Sequence, residues 1–257
     1  MGFLDNKTAV VLGASKSGGM GEAISQNLIK EGAKVIIAAR SEKKVKALAA
    51  ELGAVATICD ITSENQVADL AKLAIKQFGK LDIAVNCAGD AIIGDIAKTN
   101  EEDLRRAVDV HFIGPFFFLK HMPVAIQENG SMITISSITA SNVILNHAAY
   151  VGAKAGTDHL VRIAALEYGR KNIRVNSVSP GFTITPMSEP FLGPDGLLEL
   201  FEKEIPLGRI NTTDDIAHAV TWLCDDRTYI TGQNIQVNGG HSLTRMPSRD
   251  EISALFK

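Results

Sequence analysis

The sequence contains no unbroken apolar run of about 18 residues, the length a helix needs to cross a bilayer. A membrane-spanning helix is therefore excluded. Cysteine is scarce: Cys59, Cys87 and Cys224 are the only three, far apart and in apolar or mixed surroundings. They fit no metal-ligand spacing and read as buried, reduced thiols. Charge of one sign is also missing, since 26 Lys and Arg stand against 29 Asp and Glu for a net charge of −3. Such a chain carries no electrostatic footprint for nucleic acid or an anionic membrane. Met1 to Lys7 is short and polar and runs straight into an apolar stretch. We expect no secretion signal there and a cytoplasmic protein.

What is present is an ordinary globular balance, 46% hydrophobic and 21% charged residues, with ample length for a large core. Short apolar runs alternate with amphipathic segments throughout. Strands are expected at Thr8–Leu12, Lys34–Ala39, Ala54–Cys59, Leu81–Val85, Ser131–Ile135, Ile173–Val178 and Asn234–Val237. Helices are expected at 21–31 and 42–52, closed by Gly32 and Gly53, and at 63–78, with Ser63 as cap and Gln66 three residues on. Others should cover most of 101–127, then 148–170 and 213–224, with a further candidate within 190–203. Apolar strands alternating with helices predict an α/β fold, a doubly wound parallel sheet of about seven strands flanked by helices on both faces. No linker or repeat divides the chain, so residues 1–243 form one domain and 244–257 a polar tail, expected either to be disordered or to pack on a neighbouring subunit.

The chemistry gathers at Ala148–Gly156. On a helix, residues four apart share a face, so Tyr150 and Lys154 present a phenol and an ammonium to one point. A phenol ordinarily titrates near 10, and a neighbouring cation favours its ionised form. The first strand runs into Gly13-Ala-Ser-Lys-Ser-Gly-Gly-Met-Gly21 and then a helix. That order suits a pyrophosphate resting on the free N–H groups of a helix start.

Read together, these segments resemble the short-chain dehydrogenase/reductase family, in its short single-domain Rossmann branch, over Lys7 to Gly240. Gly13, Gly19 and Gly21 match its glycine motif, although five residues rather than the usual three separate the first two. Asp60 matches the acid at the adenine, and Asn86-Cys-Ala-Gly89 the Asn-Ala-Gly motif. Ser137 lies thirteen residues before Tyr150, the spacing of the catalytic serine, and Tyr150-x-x-x-Lys154 is the signature. Ser179-Pro180-Gly181 with Thr183 matches the segment lining the nicotinamide. The resemblance also implies cofactor contacts at Ser15, Lys16, Met20, Ile61 and Ala88. It implies that Ser137 holds a carbonyl oxygen, Tyr150 exchanges the proton, and Lys154 lowers the tyrosine's pKa and binds the ribose. Ser136 should face away from Ser137 and be structural. His111 stands where the family usually has Asn, as a relay residue or as a packing substitute.

An acid at the end of the second strand would select NAD; Ala39, Arg40 and Ser41 stand there instead. Arg40, helped by Lys16, favours NADP(H), and no metal is expected. The substrate side draws on Ile92, Ile93, Val143, Leu145, His147, Phe182, Met187 and Phe191, with 183–210 as a lid punctuated by Pro and Gly. An apolar ketone or secondary alcohol suits this lining. The alternatives are a reductase of 3-oxoacyl thioesters and a catalytically silent nucleotide-binding scaffold or sensor. Enoyl reductases of related fold use a wider Tyr-to-Lys spacing and fit poorly. The resemblance also implies a homotetramer or homodimer.

Overall fold

The computed structural model describes residues 2–15, 17–189, 192–193 and 195–255. Seven parallel strands form one sheet: β1 (Thr8–Leu12), β2 (Lys34–Ala39), β3 (Val55–Ile58), β4 (Ile83–Asn86), β5 (Ser131–Ile135), β6 (Arg174–Pro180) and β7 (Asn234–Val237). Their order is β3-β2-β1-β4-β5-β6-β7. The chain winds outward from β1 in one direction and from β4 in the other, so β1 and β4 flank the topological switch point. In such sheets ligands bind in the crevice beyond the carboxyl ends of the strands at that point.

Period-two alternation splits the core between the two faces of the sheet. Ala9, Val11, Ile37, Val85 and Ile133 face α1 (Met20–Lys30), α2 (Glu42–Leu52) and α8 (Thr213–Cys224). Val10, Leu12, Ile36, Ala84 and Met132 face α3 (Glu64–Phe78), α5 (Gly114–Ala125) and α6 (Ala148–Tyr168). Phe118 of α5 is fully buried there and contributes about 2–3 kcal/mol by leaving water.

The structure adjusts four expectations. The helix expected over 101–127 is α4 (Glu101–Val108), a π-helical turn at Asp109–Ile113, and α5, which ends at Ala125. Ser63 makes no side-chain cap; Gln66 reaches back instead to accept the Asp60 N–H at 2.8 Å. Full capping boxes stand at Thr212/Asp215 and Ser248/Glu251. Within 190–203 the helix is only α7 (Leu197–Glu202), while Pro190 and Pro194 lie outside the described residues.

The described part of the tail, up to Leu255, is ordered and packs on the protein's own chain. It forms α9 (Arg249–Ala254), and Met246, Ile252 and Leu255 pack on Leu197, Phe201 and Ile205 of the lid segment. Arg245 bridges Glu204 and Glu251 at 2.8 and 2.7 Å. Three apolar side chains spaced through a polar stretch are enough to dock it.

Candidate active site

The first residue after β1 sets the crevice. Gly13 adopts φ +99° and its N–H donates to the Ala38 carbonyl at 2.7 Å. A Cβ there would lie 2.5 Å from the Ala88 nitrogen, and one on Gly21 would lie 2.8 Å from the Ala14 Cα. The glycines thus let β1, the Asn86–Gly89 turn and the start of α1 close together, leaving a backbone cradle in which the Gly18 N–H donates to the Glu22 carboxylate at 2.6 Å. Gly19 is the N-cap of α1 and supplies no side-chain cap, as a helix end meant for an anion requires. A dinucleotide pyrophosphate fits this cradle, flanked by Ser15 and Met20; Lys16 lies outside the described residues.

Toward the sheet edge a surface cavity of about 640 Å³ is lined by Arg40, Asp60, Thr62, Glu101, Glu102, Arg105, Arg106, Asp109 and Val110. Asp60 is oriented by its own turn, one carboxylate oxygen accepting the Thr62 N–H and hydroxyl at 3.0 and 2.8 Å. The next residue, Ile61, is buried. Arg105 pairs with Glu101 at 2.6 Å and Arg106 pairs with Asp90, whereas Arg40 stands exposed at the cavity.

Across the switch point, Asn86 ends β4 and its side-chain oxygen accepts the Ala88 N–H at 3.0 Å, fixing the turn to Gly89. Pro180 ends β6 beyond it, and Gly181 donates to Val237 at 3.1 Å. Thr183 is buried, with its hydroxyl donating to the Gly181 carbonyl at 2.9 Å.

Ser137 follows β5 and shares a 2.8 Å hydrogen bond with the Thr139 hydroxyl. Tyr150 lies in the first turn of α6 and Lys154 one turn later. The lysine is buried, donates to the Ile135 carbonyl at 2.7 Å, and sits 5.8 Å from the Tyr150 ring centre. The phenol's pKa is raised, first by burial and then by the charge of Asp158, while the Ser137 hydroxyl pulls it down. The expectation that Lys154 governs this pKa is therefore not met in the protein alone. Burial prevails, and it also brings the lysine down to about 8, against the pull of Asp158.

His111 is the third member of this cluster, seated in the π-helical turn and 1% exposed. Its ring meets that of Tyr150 edge to face, with centres 4.7 Å apart at 80°. Nε2 donates to the Asp90 carbonyl at 2.8 Å, which makes Nδ1 an acceptor, buried and without a partner among the described residues. Burial, joined by the Lys154 charge, holds its pKa down to about 3, so the ring is neutral. The residue four on is Pro115, which has no N–H to give the His111 carbonyl, and Thr157 of α6 donates its hydroxyl to it instead.

A family model described as "Enoyl-(Acyl carrier protein) reductase" matches residues 13–242. The chain is 34% identical over 248 residues to the 7alpha-hydroxysteroid dehydrogenase of Escherichia coli K12, covering 92% of this chain and 94% of that one. It is 34% identical over 242 residues to the 3-oxoacyl-[acyl-carrier-protein] reductase of Rattus norvegicus, covering 93% and 99%. A short-chain type dehydrogenase/reductase from Mycobacterium ulcerans superposes with a TM-score of 0.90 at 30% identity, over 99% of this chain and 100% of that one. The chain belongs to the short-chain dehydrogenase/reductase family. It is accordingly an oxidoreductase using a nicotinamide dinucleotide.

On the substrate side of this dehydrogenase/reductase, the loop after β4 is pinned to the loop before α6, Gly94 bridging His147. His147 approaches Tyr150 with ring centres 6.4 Å apart. Ile93, Val143, Leu145 and Met187 are exposed, Val143 at 88%, whereas Ile92 is 7% exposed and packed inward. Phe182 turns away into the lid, stacked on Phe201 with centres 4.5 Å apart, and serves that small core rather than the substrate side. Phe191 lies outside the described residues. Pro186 comes within about 4 Å of where a side chain on Gly18 would be, and Met187 within 3.8 Å of where one on Gly89 would be. Thr139, Thr157 and Asp158 are the residues that the sequence alone did not single out. Of these, only Asp158, one turn beyond Lys154, left a signal in the spacing.

A neutral His111 predicts that kcat/KM has no limb from it between about pH 5 and 7. A pH profile of wild type against His111→Asn checks this, and both should be flat over that range.

Proposed function

We propose that this protein is an NADP(H)-dependent oxidoreductase that interconverts a mostly apolar ketone and secondary alcohol, with Tyr150 as general acid and base. The observation that carries the reading is the convergence of Ser137, Tyr150 and Lys154 beyond β5 at the switch-point crevice, beside the glycine cradle. When bound, the nicotinamide supplies or accepts the hydride. The protein's part is position and proton. The Ser137 hydroxyl holds the substrate oxygen. Tyr150, kept protonated by burial, donates to that oxygen on reduction and takes the proton back on oxidation. Lys154 offers its remaining N–H bonds to the ribose and places a positive charge under the phenol. His111 braces the Tyr150 ring. An exposed apolar mouth of Ile93, Val143, Leu145 and Met187 suits a bulky, uncharged substrate, in line with the steroid named for the E. coli relative.

Arg40 supports NADP(H) over NAD(H), because an exposed guanidinium at the end of β2 grips a 2′-phosphate where a carboxylate would repel it. Arg40→Ala should raise the NADPH KM about tenfold and leave the NADH KM unchanged, as measured by steady-state kinetics. The 3-oxoacyl-thioester reading is supported by the rat relative's name. Against it, Arg209 is engaged with Asp215 at 2.7 Å. The three-residue interval between Tyr150 and Lys154 favours carbonyl over enoyl chemistry. Turnover of cyclic ketones with NADPH supports the leading reading, and activity confined to acyl thioesters overturns it. We place the protein in the cytoplasm on its three free cysteines, the thiols of which burial pushes up to about 12. We expect a homotetramer through α5 and α6, whose outer faces expose Phe116, Val124, Ile163 and Leu166.

Among the described residues, no group of three or more His, Cys, Asp or Glu could hold a metal, and no helix is long and apolar enough to cross a membrane.

A further inference from the structure

We propose that Asp158 is a positioning residue of this site, a sequestered carboxylate one helical turn beyond Lys154 and two beyond Tyr150 that keeps the ammonium and the phenol in their proton-bearing forms. The inference rests on the roles given to Tyr150 and Lys154 above.

Residues 150, 154 and 158 fall four apart along α6 and so share one face. At Asp158 this face meets the carboxyl-terminal half of the sheet, and three strands contribute to the contact. Ser136, directly after β5, donates its hydroxyl to Oδ2 at 2.9 Å. Asn234 of β7 donates its amide to the same oxygen at 2.7 Å. Ser177 of β6 turns its hydroxyl toward the carboxyl. Both that hydroxyl and Oδ1 of Asp158 are buried, with no partner at hydrogen-bonding range among the described residues. Every group supplied from the strands is neutral. The ionisable groups around the carboxylate and its lysine are Lys154 and Tyr150 on α6, Cys87 after β4 and His111 in the π-helical turn. Cys87, held up at about 12, and neutral His111 carry no charge at working pH. Asp158 is therefore the negative charge that this buried lysine faces.

A polar network made only for structure would need no ionised member, since burying an unpaired carboxylate is costly. Burial, the largest influence, raises the carboxyl's pKa, and the Ser136 and Ser177 hydroxyls, the Lys154 charge and the Asn234 amide work against that rise on the side of the ionised form. The same bonds explain Ser136: it faces away from the substrate, as a strand neighbour of Ser137 should, and anchors the carboxylate.

The sign of the effect is fixed by charge. Asp158 raises both Lys154 and Tyr150. Ketone reduction needs the phenol proton and the ammonium, and is lost as pH rises through the lower of the two values, that of Lys154 at about 8. Removing the carboxylate charge lowers both values.

Asp158→Asn keeps an acceptor for Ser136 and Asn234 and removes only the charge. Its basic limb in the kcat/KM profile for ketone reduction should move down by about one pH unit, and Asp158→Glu should return it toward wild type. A basic limb that stays in place in folded Asp158→Asn, whatever its rate, overturns the proposal. Carboxyl carbon-13 NMR of aspartate-labelled protein reads the same coupling without activity and without that variant. The Asp158 midpoint should rise in Lys154→Met relative to wild type, and an unchanged midpoint overturns the proposal. Absence of ketone turnover in wild type would defeat the proposed function, while the NMR titration would still report on Asp158.

Discussion

Tyr150→Phe is expected to lower kcat for ketone reduction by about a thousandfold, the usual scale for removing a positioned general acid. The substitution deletes one oxygen and keeps the ring. The edge-to-face contact with His111, at 4.7 Å between centres, is retained, and so is the packing at the start of α6. The fold should persist, and NADPH binding, followed by quenching of protein fluorescence, should be nearly unchanged. Loss of kcat without loss of cofactor affinity is the signature of an interaction made in the transition state. A variant that turned over at the wild-type rate would show that the proton comes from elsewhere. His111 could not take over, because its Nε2–H is committed to the Asp90 carbonyl and its ring is held neutral. Lys154 is turned toward the Ile135 carbonyl at 2.7 Å. Ser137 would then be the remaining donor, and Ser137→Ala in the Tyr150→Phe background would reveal it.

The second large effect belongs to the backbone. Gly13→Ala is expected to destabilise the fold by about 3 kcal/mol or more, read as a lower urea midpoint at unchanged slope, and to abolish measurable cofactor binding. Two costs add. The residue must hold φ +99°, where an L side chain is strained, and its Cβ would lie 2.5 Å from both the Ala88 nitrogen and the Cys87 carbonyl carbon. Backbone at that distance cannot swing aside. Cys87 is fastened to β1 by its N–H on the Leu12 carbonyl at 2.7 Å, and Leu12 pairs with Asn86 across the sheet. Relief would require β1 and β4 to separate at the switch point, which is where the pyrophosphate is expected to rest. Gly53→Ala is the control. It stands at φ +67° at the end of α2, with nothing within 4 Å of an added Cβ, so it should cost only about 1 kcal/mol of conformational strain. Equal losses at the two positions would show that φ alone sets the cost and that the tight approach at Gly13 has no part in it.

Much of the site was legible because helix and strand periods are short-range rules. Tyr150 and Lys154 share a face by spacing alone, and Ser136 and Ser137 point apart by strand alternation. The strands were placed within a few residues: β4 begins two residues later than the apolar run, and β6 continues two residues further, to Pro180. Contacts between distant segments were hidden. Nothing in the polar character of Ser136, Ser177 and Asn234 says that they meet on Asp158. They come from three strands, and only the order β5-β6-β7 brings them side by side. Phe182 fits an apolar mouth by composition, yet its ring stacks on Phe201 because the lid needs a core of its own. The tail looked unattached because its polar residues outnumber the three apolar ones that dock it.

Sequence by itself determined the α/β alternation, the glycine turn after β1 and the pairing of phenol with ammonium, since each depends on residues within one or two helical turns. Tertiary structure decided which way the phenol's pKa moves. Burial is a property of everything packed around a group. Around Tyr150 it outweighs the Ser137 hydroxyl that pulls the value down, while the lysine that the sequence placed one turn away is turned toward the Ile135 carbonyl.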